Sequence, residues 1–191
     1  MDYDIPPKDA PVRDPDFAKD EEVLWQGRFI SMKRRGRWEY ASRARGIRAA
    51  AIIAIDDGHI LLVSQYRMAT SCRTLEIPAG LIGDDDGAEG ESAVSAAARE
   101  LEEETGYRAD SFEELGYFYS SPGMVSEGFT LLRAHGLTKV GPGGGTESED
   151  ITVYRVPLSD LPDFVAHWRE AGHGVDVRIA VAMGSGFMGE G

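Results

Sequence analysis

The chain has 191 residues, 42% of them hydrophobic and 28% charged, with a formal net charge of −13. That length suits one domain with a real core, and the acidic balance excludes a general polyanion binder, because phosphate backbones select basic surfaces. No nucleic-acid partner is expected. The single cysteine, Cys72, excludes an internal disulfide and a cysteine-based zinc cluster, and suits a reducing compartment. The opening Met1-Asp2-Tyr3-Asp4 lacks the basic and apolar regions of a signal peptide, and the longest apolar run, Ala49 to Ile55, is far too short to cross a bilayer. A cytoplasmic protein without a membrane partner is expected.

Residues 1–20, with Pro6, Pro7, Pro11 and Pro15 among many charges, read as an extended arm. From Val23 to Tyr40 apolar residues recur at strand spacing, and Lys33-Arg34-Arg35-Gly36-Arg37 reads as a hairpin tip. Ala49–Ile55 is a buried strand by its unbroken apolarity. Asp57-Gly58 is a tight-turn signal, and His59–Arg67 returns as its partner. Thr74–Pro78 is a short strand, followed by a loop rich in Gly and Asp over 81–90. A helix then starts at Ser92 as N-cap and is expected to bury Val94, Ala98, Leu101 and Thr105. Phe112–Tyr119 and Gly128–His135 read as strands around a turn at Ser121-Pro122-Gly123. Gly141–Gly145 reads as a flexible loop and Ile151–Val156 as a strand. Helices are expected from Ser159 or Asp160 to Ala171 and from Val175 to Met183, before a Gly-rich tail over 184–191.

The end of the first helix carries most of the information. Arg99-Glu100-Leu101-Glu102-Glu103-Glu104-Thr105-Gly106 puts four carboxylates at the negative end of a helix dipole, where anions are disfavoured. Glu100, Glu103 and Glu104 stand at i, i+3 and i+4, on one face, and like charges so spaced repel by roughly 0.2–0.5 kcal/mol per pair. A face of carboxylates that costs helix stability is what a hard divalent cation such as Mg²⁺ uses. Extended outward, Glu91-x7-Arg99-Glu100-Leu101-x-Glu103-Glu104-x-Gly106-Tyr107 resembles the Nudix box of the Nudix hydrolase family, G-x5-E-x7-R-E-U-x-E-E-x-G-U with U bulky and apolar. The opening glycine departs from that pattern. Ten residues separate Gly80 from Glu91 where the pattern has five, so a five-residue insertion is read within 81–90, a change that loops absorb at small entropic cost. Asp84-Asp85-Asp86 in that insertion reads as a solvated bulge, with a metal contact as the alternative.

Gln65-Tyr66-Arg67, Glu76-Ile77-Pro78-Ala79-Gly80, Ser121-Pro122-Gly123 with Glu127, and Glu147-Ser148-Glu149-Asp150 resemble the ADP-ribose (ADP-sugar) pyrophosphatase branch. The resemblance implies an α/β fold, the Nudix α/β/α sandwich with a mixed β-sheet, plus an N-terminal antiparallel strand region, the domain running over 21–183. It also implies Mg²⁺-dependent hydrolysis of the pyrophosphate bond of ADP-ribose or a related ADP-sugar, with two or three ions per site and Mn²⁺ as the alternative metal. The metal ligands implied are Glu100, Glu103, Glu104 and the backbone carbonyl of Ala79, with Arg99 orienting a carboxylate. The general base would be Glu147, with Glu149 a further metal ligand or the base in its place. Phe29, Arg45, Arg67, Leu81, Ser121, Pro122, Gly123 and Glu127 would contact substrate. A homodimer pairing through the strands of 21–45 is implied. Another nucleoside diphosphate derivative as substrate, or a Nudix regulator that binds nucleotide without turnover, remain the alternatives.

Overall fold

The computed structural model describes residues 3, 5–44, 47–83, 90–146 and 149–184. Arg45, Glu147, the Asp84-Asp85-Asp86 run and the tail beyond Gly184 lie outside them. The described residues fall into two compact units, one from 1–46 with 121–127 and the other from 47–120 with 128–191.

The first unit is a three-stranded antiparallel sheet of β1 (Glu21–Gln26), β2 (Ile30–Arg35) and β3 (Trp38–Arg43). The basic run expected as a hairpin tip is mostly strand: Lys33, Arg34 and Arg35 pair across to Val23, Glu22 and Glu21 in that order, and only Gly36-Arg37 turns. Lys33 and Arg34 meet Glu21 and Glu22 at 2.7 Å, so opposite charges across the ladder let the basic residues stay in register. Asp16, 4% exposed, accepts from the Arg37 backbone N–H at 3.2 Å, which folds the preceding segment onto that turn. The stretch Ser121–Glu127 lies along β3 through Ala41 N–H to Met124 O and Ser126 N–H to Ala41 O, both 3.0 Å.

The second unit holds β4 (Arg48–Asp56), β5 (His59–Arg67), β6 (Cys72–Glu76), β7 (Ala79–Ile82), α1 (Ala93–Thr105), β8 (Tyr107–Arg108), β9 (Ser111–Tyr119), β10 (Gly128–His135), β11 (Thr138–Lys139), β12 (Thr152–Pro157), α2 (Leu161–Glu170), β13 (Gly174–Val175) and α3 (Val177–Ala182). Asp57 and Gly58 have φ of 45° and 68°, the two positive values that a type I′ hairpin turn requires. Beyond that turn β4 and β5 pair over only two residues and then part. β4 continues between β10, parallel, and β7, antiparallel, while β5 takes β6 and β12. β7 therefore fills the edge that β5 vacates, anchored by Ile52 N–H to Pro78 O at 2.8 Å.

This mixed sheet is buried on both faces, which is why β4 reads as a continuous apolar run. Ala50, Ile52 and Ala54 pack with Ala96, Ala97 and Leu101 of α1. Ala51 and Ile53 pack on the other face with Leu161 of α2 and with Ile179 and Ala182 of α3. The expected α/β/α layering with a mixed sheet is thus present, with the antiparallel strands at the N-terminus.

Three local expectations are corrected. The buried side of α1 carries Ala96, Ala97, Leu101, Glu104 and Thr105, whereas Val94 and Ala98 are exposed. The helix is rotated so that Glu104, not a further apolar residue, completes the inner stripe. Leu81 and Ile82, expected in the Gly/Asp loop, belong to β7, because β4 offers them an unpaired edge. Finally, Gly174–Val175 is a strand on β6 and helix starts only at Val177, with Asp176 as N-cap accepting from Arg178 N–H.

Candidate functional site

α1 begins at Ser92, whose Oγ accepts from Ser95 N–H at 3.0 Å, and ends at Gly106 in the left-handed region, φ 71°. Its last carbonyls do not face open water. Gly144 N–H donates to Glu104 O (2.8 Å), Gly145 N–H to Glu103 O (2.9 Å), and Lys139 Nζ to Thr105 O (2.8 Å). The 141–145 run, expected as a flexible loop, is thus a backbone cap on the acidic helix end. Gly143 must be glycine for this approach, since a Cβ there would strike the Glu104 and Thr105 backbone and its φ is 71°. The cap delivers Glu149, whose Oε2 accepts from Thr146 N–H (2.9 Å) and Thr146 Oγ1 (3.1 Å).

Within α1 the carboxylates differ sharply. Glu104 is buried and its Oε2 accepts from Ala79 N–H at 3.0 Å. Burial pushes its pKa up to about 8; the Ala79 hydrogen bond works the other way, and the charges of Glu100, Glu149 and Glu76 add to the rise. Burial likewise pushes Glu100 up to about 7, against the pull of Arg99 and with Glu103 and Glu149 adding to the rise. Glu103 is exposed. Arg99 ties the group together: Nη1 donates to Glu100 Oε1 (2.7 Å) and lies 3.6 Å from Glu103, while Nη2 donates to Leu81 O (3.2 Å) and lies 3.6 Å from Glu91. Glu91 in turn accepts from Gly83 N–H at 3.0 Å, which pins the end of β7. Gly80 faces Glu100 so closely that a Cβ at that position would collide with the carboxyl group.

These groups form a cradle of hard oxygen donors. Among the described residues no three His, Cys, Asp or Glu side chains converge as a finished metal cluster. The donor chemistry nevertheless fits a hard divalent ion: Glu104 is a buried carboxylate with a backbone N–H but, among the described residues, no side-chain cation hydrogen-bonded to it, beside a glycine that leaves room for Glu100.

The structure brings Ala79, Arg99, Glu100, Glu103 and Glu104 together and places Glu149 within electrostatic reach of them. Leu81 contributes its carbonyl to Arg99. Arg67 turns Nε and Nη2 onto Glu76, at 2.6 and 2.8 Å. Phe29, Ser121, Pro122, Gly123 and Glu127 belong to the first unit. There Phe29 is exposed under the Arg28 guanidinium, Glu127 accepts from Arg43 Nε at 2.5 Å, and Pro122 and Gly123 line a cleft of about 350 Å³ with Trp38 and Tyr40. Arg45 and Glu147 lie outside the described residues. Asp176 and Arg178, which complete the charges around Glu76, were not singled out from the sequence. Glu76 carried a signal, being a charge between apolar Leu75 and Ile77, whereas Arg178 carried none.

Residues 45–173 match the NUDIX domain. The chain belongs to the Nudix family. This Nudix protein is similar to the methanol dehydrogenase activator of Bacillus methanolicus, 39% identical over 123 residues, which cover 63% of this chain and 64% of that protein. It is also similar to the ADP-ribose pyrophosphatase of Mycobacterium tuberculosis, 38% identical over 114 residues, or 59% and 53% of the two chains. The matches thus span between about half and two thirds of these curated relatives. Among solved structures it resembles an ADP compounds hydrolase, with TM-score 0.62 and 26% identity over 77% of this chain and 80% of that one. The Nudix resemblance of the acidic helix is borne out, and no described helix of this Nudix protein is long and apolar enough to cross a membrane.

Proposed function

We propose that this Nudix protein hydrolyses the pyrophosphate bond of ADP-ribose or a related ADP-sugar with Mg²⁺ or Mn²⁺, releasing AMP and a sugar phosphate. The observation that carries this reading is the pair of buried Glu104 and half-buried Glu100, set against Ala79-Gly80 with Arg99 as their only cation partner in a hydrogen bond among the described residues. The names of the ADP-ribose pyrophosphatase and ADP compounds hydrolase relatives support the substrate class.

Divalent ions, when bound, would neutralise the charge on the non-bridging oxygens of a diphosphate and acidify water. The protein's part is to hold them and the substrate. Glu104, Glu100, Glu103 and the Ala79 carbonyl are the ligands, and Arg99 keeps Glu100 in place. Glu147 or Glu149 takes the proton of the attacking water as its oxygen bonds to phosphorus; the bridging P–O bond breaks and its electrons leave with the departing phosphate. Arg67 offers Nη1 to a phosphate oxygen, and Phe29, Arg45, Leu81, Ser121, Pro122, Gly123 and Glu127 contact the remainder. Exposed Val23, Trp25, Phe29, Ile30 and Trp38 in the first unit support pairing of two copies. A cytoplasmic setting suits the single cysteine.

The test is a panel of ADP-ribose, other ADP-sugars, GDP-mannose and dinucleotides with Mg²⁺, read by release of nucleoside monophosphate. AMP from ADP-ribose is expected. Turnover of another compound in its place overturns the substrate, and binding without turnover across the panel overturns the hydrolase. Light scattering at micromolar concentration checks the dimer: a fully active monomer rules it out.

A further inference from the structure

A second buried charge cluster stands beside the α1 carboxylates. Glu76 is 2% exposed and lies between two guanidiniums, accepting from Arg67 Nε and Nη2 and from Arg178 Nη2 at 2.8 Å. Asp176 holds Arg178 in turn, through Nε at 2.7 Å and Nη2 at 3.1 Å. Arg178 arrives there because β13 pairs in parallel with Thr74 and Leu75 of β6, and Asp176 N–H donates to Leu75 O at 2.9 Å. This stitch places Arg178 at the end of β6, where Glu76 sits. Asp176 and Arg178 both lie beyond residue 173, where the NUDIX match ends.

Arg67 is the outward member of the cluster, its side chain 46% exposed. Its Nε and Nη2 are committed to Glu76, and Nη1 has no protein acceptor among the described residues. The Glu76 hydrogen bond, against the cost of burial, and then the charges of Glu76 and Glu104 hold the Arg67 pKa above its ordinary value, so Arg67 lies in the field of the α1 carboxylates. Without Arg178, Glu76 would be a buried carboxylate with one counter-cation. Arg67 would then have to compensate that charge alone, drawn inward and less able to attract an anion.

We propose that Arg178 is a positioning residue for Arg67: by sharing Glu76 it keeps the Arg67 guanidinium clamped on one edge with Nη1 available to a phosphate of the substrate. The segment after the NUDIX match thereby completes the anion side of the site. The inference rests on the phosphoanhydride reading above for the identity of that anion.

The test is a double-substitution cycle on Arg67→Gln and Arg178→Gln. Calorimetry in Mg²⁺ measures the Kd of α,β-methylene-ADP, a diphosphate that cannot be cleaved at its bridge. Each single substitution is expected to weaken binding about tenfold, the scale of one charge-assisted contact, and the double variant to bind no more weakly than Arg67→Gln. In turnover Arg178→Gln raises KM while kcat stays within about threefold, and Arg178→Lys recovers part of the affinity by restoring the charge. Circular dichroism checks folding. If Arg178→Gln does not fold, Asp176→Asn loosens Arg178 without emptying the cluster and carries the same cycle. Wild-type affinity in the folded variant, effects that multiply in the double variant, or no binding by the unsubstituted protein each overturn the inference. A protein that binds the analogue with the expected cycle but turns over nothing in the panel overturns the hydrolase reading alone.

Discussion

Two groups of buried carboxylates lie in one sheet-and-helix unit and are treated in opposite ways. Glu76 is paired: two guanidiniums and the neighbouring Asp176 close its charge inside the protein. There burial raises the Asp176 pKa, but the Arg178 hydrogen bonds and charge outweigh it, so Asp176 stays below the usual carboxylate range. Glu104 has a backbone N–H and, among the described residues, no paired cation, and burial drives it toward the protonated form. A paired cluster is complete as it stands. An unpaired one is stable only neutral, or with a cation brought from outside. Charge compensation therefore separates scaffold from site more clearly than acidity does.

The largest expected effect tests the residues proposed as the general base. If Glu147 or Glu149 is the base as proposed, substituting that residue by Gln should lower kcat by roughly 10²–10⁴-fold with Mg²⁺ affinity kept. Single-turnover kinetics on both variants decides between them, and if neither loses turnover Glu103 is the next residue to substitute. Opposite signs of stability change come next. Glu76→Ala leaves half-exposed Arg67 without its carboxylate and buried Arg178 with Asp176 alone, and should cost up to roughly 3 kcal/mol. Glu104→Gln, at pH 8 in chelator, should leave stability equal or higher while abolishing Mg²⁺-dependent activity. Parallel losses in urea titrations of the two variants would break the comparison.

The pH dependence follows from the same difference. Glu104 and Glu100 have native pKa values raised to about 8 and about 7, above the usual carboxylate value near 4.3. Between those limits the native state binds more protons than the unfolded state, so stability falls as pH rises. Metal-free protein should lose a few kcal/mol between about pH 5 and pH 8, and saturating Mg²⁺ should restore it at pH 8, since the ion binds the ionised form. Thermal melts with and without chelator read this directly; a metal-free Tm that climbs toward pH 8 contradicts it. The smallest effect is at Gly80. Gly80→Ala drives a methyl group into the Glu100 carboxyl, and Mg²⁺ affinity should fall about tenfold with little change of fold, as calorimetry would show.

Much of this was legible in the chain itself. β4 announced itself because a strand buried on both faces must be apolar at every position, and Ser92 and Gly106 bounded α1 through capping chemistry that is local. The box carboxylates were found for a similar reason, since helical spacing alone puts Glu100, Glu103 and Glu104 on one face. The errors share a cause. The spacing of Val94 and Ala98 predicts burial because an apolar stripe is the usual inner face, whereas the inner stripe here includes Glu104. The sequence around residues 81 and 82 predicts a loop because nothing nearby reveals that β5 leaves β4 and opens an edge.

By itself, then, the sequence determined which residues carry oxygen charge, on which helix and at what spacing, because these depend on covalent order and a helical period. Which of those charges is desolvated, and which is matched by a cation, only the tertiary structure decided. Glu104 meets Ala79 across 25 positions and Glu76 meets Arg178 across 102, and burial and ion pairing depend on distance in space rather than along the chain.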